Sequence, residues 1–405
     1  MKILLLSFSA ALAISAAQPR WVATWATSPG GPATNLRTFK NQTIREIVHV
    51  SLGGNAVRAR ISNVYGTTSI VIGGAHVALR GNGSSIIPES DRTLKFGGLA
   101  TVTIPPGAQV VSDPSSLNVR ANSDLAVSIF LPNETPAETM HRAAFQTSYV
   151  SEGDVTAKPE LSFAAETITS WPFLAGVDVA RSSQAEAIVA FGDSITDGSG
   201  STRDANHRWP DYLLARLAAK KHEMAVLNAG IGGNRVVYNG AGPLAYAGPS
   251  LRTRFDHDVL AQPGVKFVIV LAGINDIGVP GTSFAPISEE VPPVEIVASL
   301  RQVAERAHEH GLRVFVGTLT PFEGSTIKGY FTGERELRRQ EVNTLIRSGE
   351  GFDGMIDFDK VIADPSHPRR ILPGYDSGDH LHLNDAGYQA MAAAIDLSLF
   401  TRKQQ

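Results

Sequence analysis

Near residue 183 the hydrophobic pattern of this chain changes period, and that change limits the fold more than any other feature. Upstream, short candidate strands follow one another: Trp21 to Trp25, Val57 to Ser62, Ser69 to Leu79, Ala100 to Ile104 and Leu125 to Leu131. Val57-Arg58-Ala59-Arg60-Ile61-Ser62 alternates apolar and polar residues, the sign of a half-buried strand. Clusters such as Gly53-Gly54-Asn55, Gly81-Asn82-Gly83 and Pro105-Pro106-Gly107 separate the segments. That spacing predicts an all-β sandwich, jelly-roll-like, over residues 18–180. Downstream, apolar runs at 187–191, 224–228, 265–271, 312–316 and 354–358 alternate with helical patterns at 209–221, 250–260, 294–310, 334–347 and 384–399. Val265–Leu271 is almost continuously apolar, as a strand covered on both faces must be. This predicts an α/β region with a parallel, helix-flanked sheet over 183–400, joined to the first region through Arg181-Ser182-Ser183-Gln184.

A chain of 405 residues is too long for one ordinary core, in agreement with two domains. The formal charge of -3 and the lack of a basic run argue against nucleic acid as a partner. Residues 1–17 read as a signal peptide: Lys2 is the positive end, Ile3 to Ile14 the apolar part, and Ser15-Ala16-Ala17 the small residues before a cut. The expectation is a protein exported after cleavage near Gln18, with no membrane span, since no later segment approaches the length required. The chain has no cysteine, so its cores hold it together without disulfides, and thiolate zinc sites and cysteine nucleophiles are excluded. Asn41, Asn82 and Asn133 begin glycosylation sequons, which matter only if the source is eukaryotic.

Four segments carry chemistry. Phe191-Gly192-Asp193-Ser194-Ile195-Thr196-Asp197-Gly198 follows the first α/β strand, and a serine just past a strand end faces the edge where open sheets bind ligands. Asn228-Ala229-Gly230-Ile231-Gly232-Gly233-Asn234 follows the second strand, and Ala272-Gly273-Ile274-Asn275-Asp276 the third. Asp379-His380-Leu381-His382 precedes the last helix. Taken singly each has a plain reading: a turn, a helix cap, a surface loop, or a metal pair in His380 and His382. Taken together they supply a nucleophile, a base and oxyanion donors. A serine hydroxyl needs an adjacent base, histidine suits that task, and an aspartate fixes the imidazole tautomer. Asp379 and His382 are three residues apart, so one tight turn brings both to Ser194. The N–H groups of Ser194 and Gly233 and the Asn275 amide are the candidate oxyanion donors. The G-x-S-x-G elbow of α/β-hydrolases is absent, because residues 192–196 read Gly-Asp-Ser-Ile-Thr.

With these four blocks in order, the chain resembles the SGNH hydrolases, also called GDSL esterases and lipases. Isoleucine at 195 stands where the family name has leucine, and Leu383 where proline is common. The resemblance covers roughly 187–400 and implies a flavodoxin-like α/β/α domain. It also implies a hydrolase without cofactor or metal, using catalytic Ser194, Asp379 and His382 and the oxyanion hole of Ser194, Gly233 and Asn275. Some SGNH carbohydrate esterases carry an N-terminal β-sandwich, a similar layout. The expected substrates are short acyl (acetyl) esters on carbohydrate, small or polymeric. Lipid or aryl esters are the alternative within the class, and a carbohydrate-binding protein with an inactive hydrolase domain the alternative outside it. The β-region is expected to fold separately, to lend no triad residue, and at most to border the cleft. The loop from Tyr238 to Tyr246 is expected to border the pocket, where its two tyrosines would suit sugar or aromatic stacking, with an ordinary surface loop as the alternative.

Overall fold

The computed structural model describes residues 20–31, 36–162, 165–183 and 185–401. The expected signal peptide and Gln184 of the joining segment lie outside these. Among the described residues no helix is long and apolar enough to cross a membrane.

The first region is built of antiparallel strands. Its main members are β1 (Arg20–Ala26), β2 (Gln42–Val50), β3 (Gly54–Ser62), β4 (Gly74–Leu79), β5 (Ser115–Val119), β6 (Ser123–Leu131), β7 (Ser148–Glu152) and β8 (Leu174–Arg181). One sheet runs β1–β8–β3–β5, and the other has β7–β2–β6–β4 at its centre. Strand alternation explains the faces. In β2, Ile44, Val48 and Val50 join the main core, whereas Ile47 belongs to a small second cluster with Ala78, Ile86 and Ala126. Arg45 shares the Ile47 face, where it donates to Ser128 Oγ and the carbonyls of Ser84, Thr156 and Lys158. Glu46 shares the core face and is fully buried, with no hydrogen-bond partner for either carboxyl oxygen among the described residues. Ser69 to Leu79 is broken at Gly73, so that Ile70–Ile72 pairs with Val102–Ile104 while β4 joins the larger sheet.

The second region is a parallel sheet in the order β10–β9–β11–β12–β13, formed by β9 (Glu186–Gly192), β10 (Met224–Gly230), β11 (Val265–Leu271), β12 (Arg313–Gly317) and β13 (Gly354–Ile356). In chain order this is 2-1-3-4-5, the flavodoxin-like winding, whose switch point lies at the carboxyl end of its first strand, here β9. Helices α1 (Ser194–Asp197), α2 (Trp209–Ala219), α3 (Leu251–Phe255), α4 (Ile274–Gly278), α5 (Pro293–Glu309), α6 (Gly333–Arg347), α7 (Phe358–Ile362) and α8 (Asp385–Ala394) connect and flank the strands. Helix α5 starts on Pro293 and buries Ile296, Leu300, Val303 and Ala307, the residues whose spacing predicts it.

Three elements differ from expectation for local reasons. Strand β13 stops at Ile356 because Asp357 caps α7, accepting from the Lys360 N–H. The 250–260 helix is only one α-turn and then widens into a π turn over Asp256–Leu260. The last helix ends at Ala394, because Ile395 is extended and Asp396 caps a separate 3-10 turn, Leu397–Phe400.

The register places the site. Gly192 lies opposite Gly230 on one side and Leu271 on the other. Three strand ends therefore stand abreast, and the segments holding Ser194, Gly233 and Asn275 leave from them. One continuous apolar core joins residues of both regions, from Val22 and Trp25 to Ala225 and Val226.

Candidate active site

Ser194 is the first residue of α1. Asp193 caps that turn, accepting from the Ile195 N–H at 3.0 Å, and Gly198 closes it with φ 104°. A strand running straight into a capped turn leaves the Ser194 side chain at the sheet edge. His382 Nε2 lies 2.8 Å from Ser194 Oγ, and His382 Nδ1 lies 2.6 Å from Asp379 Oδ2. With Nδ1–H donated to Asp379, Nε2 turns its lone pair to the serine hydroxyl. The other Asp379 oxygen accepts from the N–H groups of His382 and Leu381 and from Ser377 Oγ. Burial opposes ionisation of Asp379. The hydrogen bonds and the imidazole prevail and hold it well below the usual carboxylate range.

The donors on the other side of Ser194 are held by a denser network. Among the described residues, the N–H groups of Ser194 and Gly233 have no acceptor. Gly233 has φ 77°, a left-handed conformation that favours glycine, and a Cβ there would also crowd the Leu244 side chain at 3.1 Å. Asn275 Nδ2 donates one hydrogen to the Asn234 carbonyl at 3.0 Å, and its Oδ1 accepts from Tyr330 OH at 2.8 Å. A side-chain amide has two N–H groups, so one remains for a ligand. Asp276 accepts from the Val236 and Val237 N–H groups at 2.8 and 3.0 Å. Asn275 and Asp276 are thus not a cap. They lie inside α4 and grip the segment that follows Gly233.

Sequence reasoning missed the residues that brace this arrangement. Arg254 is buried and donates to the Gly192 and Ala229 carbonyls, to Asn234 Oδ1 and to Asp258, joining the first two blocks through one guanidinium. Tyr330 fixes the Asn275 amide from 55 residues away, with no local motif to reveal it. Asp197, one turn beyond Ser194, accepts from the Gly232 N–H and from His141 of the β-region. Asp193 is buried with Oδ2 unpartnered, and burial raises its carboxyl to about 7 against the Ile195 N–H. Burial likewise raises Asp276 to about 6.

His380 lies outside the cluster. It is half exposed, adopts φ 60°, and pairs with Asp376. No group of three or more His, Asp or Glu among the described residues could hold a metal ion. Tyr238 and Tyr246 each carry a guanidinium over one ring face, Arg235 at 5.5 Å and Arg142 at 5.2 Å from the centroid, so those faces are not open to a sugar. Among the described residues no hydrogen bond from 20–181 reaches Ser194 or His382. The β-region touches the site through Asp197.

The family model for the GDSL-like lipase/acylhydrolase family matches residues 190–390. No curated protein matches the chain. Among solved structures, the chain is similar to a GDSL-like lipase from Bacteroides thetaiotaomicron at 17% identity, covering 53% of this chain and 87% of that one, with TM-score 0.38. It is also similar to a carbohydrate acetylesterase from Sinorhizobium meliloti at 16% identity, covering 52% and 95%, TM-score 0.40. An α/β hydrolase enzyme from the metagenome of Lake Arreo, Spain, is similar at 20% identity, covering 52% and 92%, TM-score 0.37.

Proposed function

The chain carries a domain of the GDSL-like lipase/acylhydrolase family over residues 190–390, a carboxylic ester hydrolase, and on that premise we propose that it is an exported serine esterase for short acyl esters on carbohydrate. The observation that supports this most is the chain of two hydrogen bonds, Ser194 to His382 at 2.8 Å and His382 to Asp379 at 2.6 Å.

In this reading Ser194 Oγ attacks the ester carbonyl carbon as its proton passes to His382 Nε2. The imidazolium is stabilised by Asp379. The carbonyl oxygen becomes an oxyanion facing the free N–H groups of Ser194 and Gly233 and the second Asn275 amide hydrogen. Collapse breaks the bond to the alcohol, which leaves with the proton from His382. Water then attacks the acyl-enzyme, gives its proton to His382, and the acid departs as Ser194 recovers a proton. A small acyl group suits the surroundings. Leu244, Ala247 and Tyr246 pack close to Gly233, and the cavity beside them carries the charged Arg142 and Asp197 along with Ile231 and Tyr246.

The test is labelling by a fluorophosphonate together with hydrolysis of 4-nitrophenyl acetate. The wild type labels and turns over, and Ser194→Ala folds but does neither. An unlabelled wild type would favour a binding protein with an inactive hydrolase fold.

A further inference from the structure

We infer that the β-region supplies a substrate subsite, with Arg142 as the cation that receives an anionic group of the ester substrate, a carboxylate or sulfate. The inference deepens the esterase reading and rests on it for the position of the reacting bond.

A cavity of about 280 Å³ lies between the two regions, lined on one side by Gly30 and Arg142 and on the other by Asp197, Ile231, Gly232 and Tyr246. It adjoins the reacting centre. Gly232 precedes the oxyanion glycine, the Tyr246 ring lies against Gly233, and Asp197 ends the turn that Ser194 begins. A substrate whose carbonyl reaches Ser194 can extend its acyl or its alcohol portion toward this cavity past Gly232 and Tyr246.

Arg142 is held at this cavity by the segment that carries it. His141 is buried against Asp197 and the Ser28 carbonyl. Two residues on, the Ala144 carbonyl accepts from Arg208 at 2.7 Å. Gln146 and Thr147 bind Asp204. On the same side, Gly30 donates to the Met140 carbonyl and lies so close to the Tyr246 carbonyl that a Cβ would collide with it.

The guanidinium itself is uncommitted. Its residue is exposed, it lies over the face of Tyr246, and among the described residues no carboxylate pairs with it. The acid in the cavity wall, Asp197, is already satisfied by His141 on one oxygen and by the Gly232 N–H on the other. What faces the cavity is therefore a free planar fork of donors resting on an aromatic ring, the arrangement that recognises carboxylate and sulfate. The anion has two possible sources. It can sit on the acyl side, as in the half-ester of a dicarboxylic acid, or on the alcohol side, as in an acetylated uronate.

The experiment compares kcat/KM for two pairs of esters, 4-nitrophenyl hydrogen succinate against 4-nitrophenyl butyrate and acetylated polygalacturonate against acetylated xylan, each in the wild type, Arg142→Gln and Arg142→Glu. For whichever pair carries the anion on the correct side, the wild type prefers the anionic ester. The anionic-to-neutral ratio falls about tenfold or more in Arg142→Gln, and further in Arg142→Glu. Equal ratios in wild type and variants for both pairs overturn the subsite. Calorimetry on the full chain with succinate, galacturonate and neutral galactose reads the subsite without turnover. Anion binding that is lost in Arg142→Gln supports it even if no ester is hydrolysed, and no preference for either anion over galactose overturns it even if the esterase reading stands.

Discussion

His141 of the β-region and Asp197 of the Ser194 turn form a buried pair, with Nε2 3.0 Å from Oδ1 and both side chains 4% exposed. The other ring nitrogen, Nδ1, faces the Ser28 carbonyl at 2.8 Å. Both nitrogens face acceptors, the Ser28 carbonyl on one side and Asp197 and the Ala143 carbonyl on the other, an arrangement that favours the protonated ring. Burial works against that charge, and Asp197 with the two carbonyls outweighs burial, raising the His141 pKa. The pair ties the region that frames the cavity to the turn that holds Ser194.

His141→Leu leaves a buried carboxylate without its cation and should destabilise the protein by about 3–5 kcal/mol. His141→Leu combined with Asp197→Leu should recover part of that loss. The pH sign follows from the raised pKa. The stabilisation is complete below the unfolded histidine value of about 6.5 and is lost as pH rises through the higher folded value. Thermal midpoints measured across that range should fall for the wild type and fall less for His141→Gln. A wild type and variant with parallel profiles would mean that the ring is neutral in the folded protein.

On the proposed role of Asn275 as an oxyanion donor, Asn275→Ala should lower kcat by about 10²–10³ with little change in KM, since such a donor acts mainly in the transition state. Tyr330→Phe removes only the hydroxyl that orients the Asn275 amide, 2.8 Å from Oδ1. One lost hydrogen bond of about 1 kcal/mol corresponds to roughly a fivefold fall in kcat, again at unchanged KM. Because Tyr330 positions Asn275, Tyr330→Phe should cost almost nothing when Asn275 is already alanine. Steady-state kinetics of the two single variants and the double variant measure this coupling. A full additive loss would show that Tyr330 acts independently of Asn275.

The legible part of this molecule is the part written in contiguous residues. The apolar run of β11, the spacing of Ile296, Leu300, Val303 and Ala307, and the residues after the three strand ends are each local, and parallel winding brings those ends together. Asp379 and His382 could be paired because they are three apart on one turn. The braces were not legible. Arg254 meets Gly192 across 62 residues, Tyr330 meets Asn275 across 55, and His141 meets Asp197 across 56 from another region. An arginine, tyrosine or histidine in an ordinary segment carries no mark of a partner so distant. Element ends failed where a single aspartate intervened, as Asp357 does after a strand and Asp396 after the last helix.

Glu46 should be a source of instability rather than of support. It lies in the middle of β2 between Ile44 and Val48, opposite Val127, with both carboxyl oxygens buried and unpartnered among the described residues. Burial pushes its pKa well above the ordinary value. For a carboxyl raised in the folded state, no penalty exists below the unfolded value of about 4.3, and stability is lost as pH climbs from there toward the folded pKa. Asp193 contributes in the same sense as pH rises toward 7. Glu46→Leu should therefore stabilise the protein by about 1–3 kcal/mol at neutral pH and by less at pH 4. Chemical denaturation at the two pH values measures the difference, and equal gains at both would disprove a protonation origin.

Residues 183–405 expressed alone should not reproduce the stability of the full chain, contrary to the expectation of a separately folding β-region. The two regions share one apolar core, in which Val22, Ala23 and Trp25 are buried with Ala225 and Val226. Hydrogen bonds cross the junction at buried points. Ser51 Oγ donates to the Val226 carbonyl and accepts from the Val226 N–H, so the edge of β10 is satisfied by a side chain of the β-region. The Ala23 N–H donates to the Pro263 carbonyl, Arg60 to Gln262, and Arg254 to Ser28. Removing 20–182 strips partners from Val226, Gln262 and Asp197 together and opens the β10 edge to solvent, an exposed edge that invites aggregation. Circular dichroism and thermal unfolding of the fragment should show a lower and less cooperative transition, or insoluble protein. The refolded fragment should also lose turnover of 4-nitrophenyl acetate, because Asp197 then lacks His141. A soluble fragment that unfolds cooperatively at the full-chain temperature, with full turnover, would show that the hydrolase region is independent and that the shared core is only a contact.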